Sequence, residues 1–369
     1  MSDTVKLNSH SSAPDPLPST NNAVHGSESL RVAQPSTFLI PCRAMREIPS
    51  KFTVVDKDQL SGLKAIRDFL KIRTSYDVLP LSFRLIILDT DLLVKKSLTI
   101  LLQNGIVSAP LWDSQTSKFA GLLTTSDYIN VVQYYWQYPD ALKQIDQFRL
   151  RSLRDIEKAL GVSPLETVSV NPTRPLYEAC RQMLKTRARR IPLIDTDDET
   201  GRQMVVSVIT QYRLLKFIAV NVVETEKLKK SVSEIGLGTY EELQTATMDT
   251  SVIDVIHMMV KCSISCVPIL DEESRVLNVF EAVDVISVIK GGTYDELTTS
   301  VGEALSKRPE DFPGIYTCSM EDRLNSIFDT IRKSRVHRFI VIDDDYRLKG
   351  IISLSDILKY VLLQGEVDE

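Results

Sequence analysis

Four segments of the chain share one grammar, and a fourfold repeat of this size limits the fold more than any compositional figure does. Their middles read "IVSAPLWD", "ARRIPLID", "SISCVPILD" and "VHRFIVID" and end at Asp113, Asp195, Asp271 and Asp343, spaced 82, 76 and 72 residues apart. Each middle follows a stretch with helical periodicity. In the last copy Leu324, Ile327, Phe328 and Ile331 make the i, i+3, i+4, i+7 stripe of a helix packed on a sheet. Each is followed by a polar turn, a second apolar strand and a new helix start: "FAGLLTTSD", "MVVSVITQYR", "VLNVFEAVD" and "LKGIISLSD". The pattern predicts an α/β chain of four β-α-β-β-α units, over 60–140, 160–222, 235–292 and 303–363. The short strands lack polar alternation, so both of their faces should be covered. A unit of about 60 residues is marginal alone, so the units should pair. The Ser-, Asn- and Pro-rich opening cannot bury enough apolar surface to offset its ordering entropy, which predicts a disordered tail over residues 1–45.

Composition narrows the function classes. The formal charge of −5 argues against a general nucleic-acid binder, which needs a basic footprint. The richest apolar run, "VITQYRLLKFIAVNVV", is interrupted by Arg213 and Lys216, so no membrane insertion is expected. The N-terminus lacks a basic segment followed by an apolar one, so no secretory signal is expected. The five cysteines, Cys42, Cys180, Cys262, Cys266 and Cys318, form no CxxC pair and read as reduced thiols of an intracellular protein. Only His257 and His337 offer imidazole in the folded part, so neither a metal nor any cofactor is expected. An enzyme acting on nucleotides or phosphate esters finds no support, since GxxxxGK[ST], HExxH and a nucleophile elbow are all missing from the sequence.

The β-α-β-β-α grammar resembles the CBS motif, and four copies resemble two tandem pairs forming a disc. In order along the chain, "SYDVLP", "SAPLWDS", "GLLTTSDYINV", "RRIPLID", "VHRFIVID" and "GIISLSDILKY" resemble the γ subunits of the AMP-activated and sucrose-non-fermenting-type protein kinases. "VVSVITQYRLLKF" and "VGEALSKRPEDFPGIYTC" look fungal rather than animal. The resemblance covers roughly residues 50 to 363. It implies a non-catalytic regulatory subunit, cytoplasmic and nuclear, that binds AMP, ADP and ATP. It also implies two protein partners, a catalytic α subunit and a scaffolding β subunit. The alternative is a constitutive structural subunit of the same kinase with vestigial nucleotide pockets.

The resemblance also assigns residues. It gives the ribose of an adenosine to the Asp at the strand-to-helix junction of each repeat: Asp127, Asp284 and Asp356, with Arg213 at the second-repeat position. A carboxylate suits a cis-diol because its two oxygens can accept two hydrogen bonds at once; a guanidinium only donates, which makes the second position non-binding. Taken alone, an Asp there reads first as a helix N-cap residue. Ser353, Ser355, Thr124 and Ser126 stand at the same junctions, where hydroxyls and free amides can bind polar groups. Arg189, Arg190, His337 and Arg338 precede buried strands, where a cation needs an anionic partner; the resemblance supplies converging phosphates. Thr239 in "GLGTYEEL" corresponds to a nucleotide-contacting Thr and reads equally well as a turn residue, while Ile351 would sandwich adenine. Two departures from the animal pattern, Tyr212 for a phosphate-reaching Lys and Glu281 for a Ser, place an uncharged residue and a carboxylate beside the expected ligand.

Overall fold

Each short apolar run closes on its successor as an antiparallel hairpin, and a computed structural model describes the chain over residues 53–141, 147–162, 168–291, 295–308 and 312–365. The tail expected to be disordered, residues 1–45, lies outside the described residues, as does Cys42.

Helix α1 (Val54–Ile72) opens the described chain. The first repeat follows with β1 (Leu88–Asp89), α2 (Val94–Gln103), β2 (Ser108–Asp113), β3 (Lys118–Thr124) and α3 (Thr125–Gln137), then a short α4 (Leu153–Ala159). The second holds α5 (Leu176–Lys185), β4 (Arg190–Thr196), β5 (Gln203–Thr210) and α6 (Gln211–Asn221), after which comes α7 (Val232–Ile235). The third holds α8 (Val252–Lys261), β6 (Cys266–Leu270), β7 (Val276–Glu281) and α9 (Ala282–Val288), followed by α10 (Val301–Ser306). The fourth holds β8 (Thr317–Cys318), α11 (Leu324–Lys333), β9 (Arg338–Ile342), β10 (Leu348–Ser353) and α12 (Leu354–Leu363).

All four repeats pair alike. An entering residue or strand pairs parallel with the hairpin's first strand: Leu88 with Leu111, Val170 with Leu193, Ala246 with Ile269, and Cys318 with Val341. The two hairpin strands then run antiparallel, with one register shift in each. The first strands β4, β6 and β9 each bury an unbroken run of residues, 191–194, 266–269 and 339–341, the covering of both faces that the missing polar alternation requires.

The pairing of units takes two forms. One apolar core joins repeats two and four, with Leu176, Met183, Leu214, Phe328, Ile357 and Val361 among its members. A second joins repeats one and three through Leu101, Leu123, Tyr128, Ile256, Phe280 and Val285. Sequence neighbours instead meet at their sheets. Phe119 N–H donates to Gln203 Oε1 at 3.0 Å, and Val276 N–H to the Tyr346 carbonyl at 2.9 Å. Helix α1 belongs to the core of repeats two and four. Its buried Arg67 donates from Nη1 to the carbonyls of Val361 and Gln364, both at 3.0 Å, satisfying acceptors that the end of α12 leaves open.

After the pre-hairpin helix the first three repeats turn through one left-handed residue: Gly105 (φ 60°), Arg187 (φ 55°) and Ser263 (φ 53°). A side chain in this region costs about 1 kcal/mol relative to glycine. Exposed Arg187→Gly is therefore expected to raise the unfolding free energy by about 1 kcal/mol in urea titration; a decrease would show that the arginine stem makes offsetting contacts.

Candidate functional site

The open ends of the four hairpins converge. At each, the first residue of the leading strand pairs with the residue that precedes the next helix: Ser108 with Thr124, Arg190 with Thr210, Cys266 with Glu281, and Arg338 with Ser353. Seven of these eight residues, all but Thr124, line one cavity of about 950 Å³. Arg189, Arg213, Arg335, His337, Ser355 and Asp356 line it too. Repeats two and four thus face each other across a space large enough for a nucleotide-sized ligand.

The cavity is strongly basic, and its cations disturb one another. Burial pushes Arg190 down to about 10, with Arg189 and Arg335 adding repulsion. Burial and then Arg338 lower Arg189, and burial and then Arg335 lower Arg213. Arg189 and His337 are solvent-exposed as residues, yet the surrounding protein still depresses their charged forms. Among the described residues Arg189, Arg190, Arg213 and Arg335 have no carboxylate partner. Arg338 has one: its Nε lies 3.0 Å from Glu281 Oε1. The contact is Coulombic without a hydrogen bond, since Nε has no acceptor in hydrogen-bonding geometry. A multiply charged anion would relieve this repulsion and supply the missing acceptors.

His337 responds to the same field. Burial first, then Arg335, Arg338 and Arg190, push its imidazole down to about 4, so the ring is neutral at pH 7. A depressed folded value gives a contribution that is complete above the unfolded value near 6.5 and lost as pH falls toward 4. His337→Asn is accordingly expected to retain about 1 kcal/mol more of its neutral-pH stability at pH 4.5 than the parent does, a figure reduced for solvent screening. Parallel urea titrations at both pH values measure this, and identical acid losses would contradict it.

The junction residues divide into those brought to the cavity and those held away. Asp356 lines it while closing the capping box of α12: its Oδ2 accepts from Ser353 N–H at 2.8 Å and from Ser353 Oγ–H at 2.6 Å. The cap and the cavity positions therefore coincide in one side chain. Ser355 Oγ–H donates across repeats to Gln211 Oε1 at 3.1 Å. Thr239 is locked to β10, its N–H donating to the Ile351 carbonyl and its carbonyl accepting from Ile351 N–H, both at 2.9 Å. The preceding Gly238 has φ 113°, and an added Cβ there would meet Ile351 O at 2.8 Å, so glycine is required for this approach. Arg213, the position marked as non-binding, also lines the cavity and donates from Nη1 to the Val208 carbonyl at 3.4 Å.

Asp284, Asp127, Thr124 and Ser126 are not brought there. Asp284 is buried and held bidentately by Arg308, with Nε–H to Oδ1 at 2.8 Å and Nη2–H to Oδ2 at 2.6 Å. Asp127 lines a separate cavity of about 230 Å³ with Arg151 and Arg154, and its Oδ2 accepts from Thr124 N–H at 2.6 Å and Thr124 Oγ1–H at 2.9 Å. Burial pushes Asp127 up to about 6 against those two hydrogen bonds. Ser126 is exposed. Among the described residues no cluster of His, Cys, Asp and Glu could hold a metal ion, and no helix is long and apolar enough to cross a membrane. The four described cysteines are all free thiols.

The reading of the sequence missed Arg335, Gln211 and the partner of Arg338. Alternation across the buried Val336 was an available signal for Arg335, because an extended segment puts residues 335 and 337 on one side. No local signal marked Gln211, whose backbone N–H donates to the Arg189 carbonyl at 3.1 Å and so ties the basic pair to α6.

Comparison with known proteins follows the same architecture. The pattern of the CBS domain family matches residues 162–220, 232–291 and 310–363. The 5'-AMP-activated protein kinase subunit gamma of Saccharomyces cerevisiae is 57% identical over 309 residues, covering 84% of this chain and 96% of that protein. The Kluyveromyces lactis subunit is 53% identical over 324 residues, covering 88% and 99%. Among solved structures, the protein MJ1225 of Methanocaldococcus jannaschii has a TM-score of 0.62 at 15% identity, covering 78% of this chain and 99% of that one. That last likeness is one of fold alone.

Proposed function

The chain belongs to the family of 5'-AMP-activated protein kinase γ subunits, non-catalytic regulatory subunits, and from that premise we propose that it binds AMP, ADP and ATP. The kinase it regulates would be a heterotrimer with a catalytic α subunit and a scaffolding β subunit. One observation carries the nucleotide reading: a single cavity of about 950 Å³ joins unpaired arginines of repeats two and four to the Asp356 carboxylate and the Ser355 hydroxyl. Arginines suit phosphate, and a carboxylate suits a ribose diol. Nucleotides differing in phosphate charge would engage the basic side to different extents. They could then shift the kinase between arrangements in proportion to that difference.

A second reading, a constitutive structural subunit, is favoured by the third repeat, where Arg308 already occupies Asp284. Titration calorimetry of the purified chain with AMP, ADP and ATP separates the two. The sensor reading expects saturable binding, together with about 2.7 kcal/mol of added stability at a hundredfold excess over Kd. If neither the isolated chain nor its complex with the α and β subunits binds any of the three, the sensor reading fails and the structural one takes its place.

A further inference from the structure

The four junctions are equivalent in backbone pairing but not in chemistry. Thr124, Thr210 and Ser353 carry hydroxyls where the third repeat carries Glu281. The Thr210 and Ser353 hydroxyls accept the amide N–H of Arg213 at 3.2 Å and of Asp356 at 3.3 Å, a short-range task within their own repeats. Glu281 stands at the same N-cap position and shares a capping box with Asp284, but its longer side chain also reaches beyond its own repeat. It extends from the third repeat to the fourth and places Oε1 3.0 Å from Arg338 Nε, with both side chains less than a fifth exposed. Both residues line the cavity. Arg338 Nε nonetheless lacks a hydrogen bond, so the carboxylate neutralises the guanidinium without satisfying it.

We propose that Glu281 is a specificity-determining residue, a tethered anion that occupies Arg338 and penalises cavity ligands in proportion to their negative charge. The inference deepens the nucleotide reading and rests on it only for the identity of the natural ligand. An incoming phosphate offers Arg338 better-aligned acceptors than Glu281 does. To use them it must displace the carboxylate and then sit beside it, and that like-charge penalty grows with each phosphate charge. A monophosphate meets the smallest penalty and a triphosphate the largest. The third repeat would thereby tilt the cavity toward AMP over ATP without touching the ribose position at Asp356.

The test is calorimetry on the full chain, parent against Glu281→Gln and Glu281→Ser, with AMP, magnesium-free ATP and inorganic tripolyphosphate. Glu281→Ser restores the hydroxyl class used by the other repeats, which guards against a fold lost through an unpaired Arg338. The expected result is AMP tightened about tenfold and both ATP and tripolyphosphate about a hundredfold, the gains shrinking at high salt. Equal gains for AMP and ATP, unchanged affinities, or weaker binding in both variants would overturn the proposal. The two readings fail separately. If no adenine nucleotide binds but tripolyphosphate still gains in the variants, the nucleotide reading falls and the role of Glu281 stands. If nucleotides bind and the variants discriminate no differently from the parent, only the Glu281 inference falls.

Discussion

Arg308→Ala is expected to remove about 3–5 kcal/mol of stability, the cost of leaving a buried carboxylate without its cation. The arginine is held on every side. Beyond its two bonds to Asp284, Nη1–H donates to Asn278 Oδ1 at 2.9 Å and Nη2–H to the Val279 carbonyl at 2.6 Å. The guanidinium lies 4.1 Å from the centre of the Phe312 ring, and the two charged side chains are about a tenth exposed. After truncation Asp284 would keep the Glu281 N–H at 2.7 Å as a donor, too little to hold a charge in that position. Urea unfolding of Arg308→Ala, Asp284→Ala and the double variant makes the measurement. The double variant should lose less than the sum of the singles, because removing both partners leaves no isolated charge. A loss below 1 kcal/mol for Arg308→Ala would mean that solvent reaches Asp284, and with it the third junction would be open to ligand.

The contrast between that arginine and the basic pairs explains what was legible in the sequence. The hairpins could be read because their determinants are local. Apolar runs end at an Asp whose carboxylate accepts nearby amides, as Asp271 Oδ1 does from Glu273 N–H at 3.0 Å and Asp343 Oδ1 from Asp345 N–H at 3.0 Å. Arg189, Arg190, His337 and Arg338 could be read because each pair abuts a buried strand, where a charge needs a reason. Arg308 gave no such sign: it follows a short helix in a polar stretch, and its partner lies back at the start of α9. The pairing of Arg338 with Glu281 crosses from one repeat to another, and the docking of α1 on α12 joins the two ends of the described chain. Sequence spacing carries no information about such contacts. What the junction pattern could not say was which Asp would face the cavity, because all of the Asp junctions share one local geometry and differ only in what later segments place over them.

Asp356→Asn and Asp356→Ala are expected to part company, and the difference decides whether this carboxylate is a ligand or only a cap. Both bonds that Asp356 accepts from Ser353 fall on Oδ2, and among the described residues Oδ1 accepts no hydrogen bond. Asparagine keeps one acceptor oxygen for the cap and replaces the other with a donor, which cannot accept from a diol. Stability should therefore change little in the Asn variant and fall by about 1 kcal/mol in the Ala variant, the usual cost of a lost cap interaction. Binding should fail in both. Hydrogen bonds to a charged acceptor contribute about 1.5–3 kcal/mol each, so losing the ribose contacts should weaken AMP about a hundredfold or more. The two effects are read independently, stability by urea titration and affinity by calorimetry. If the Asn variant binds AMP as the parent does while Ala is destabilised, Asp356 serves α12 alone and the ribose must be held elsewhere in the cavity. If binding falls in the Asn variant with stability intact, the oxygen that the cap leaves free is the one the nucleotide uses.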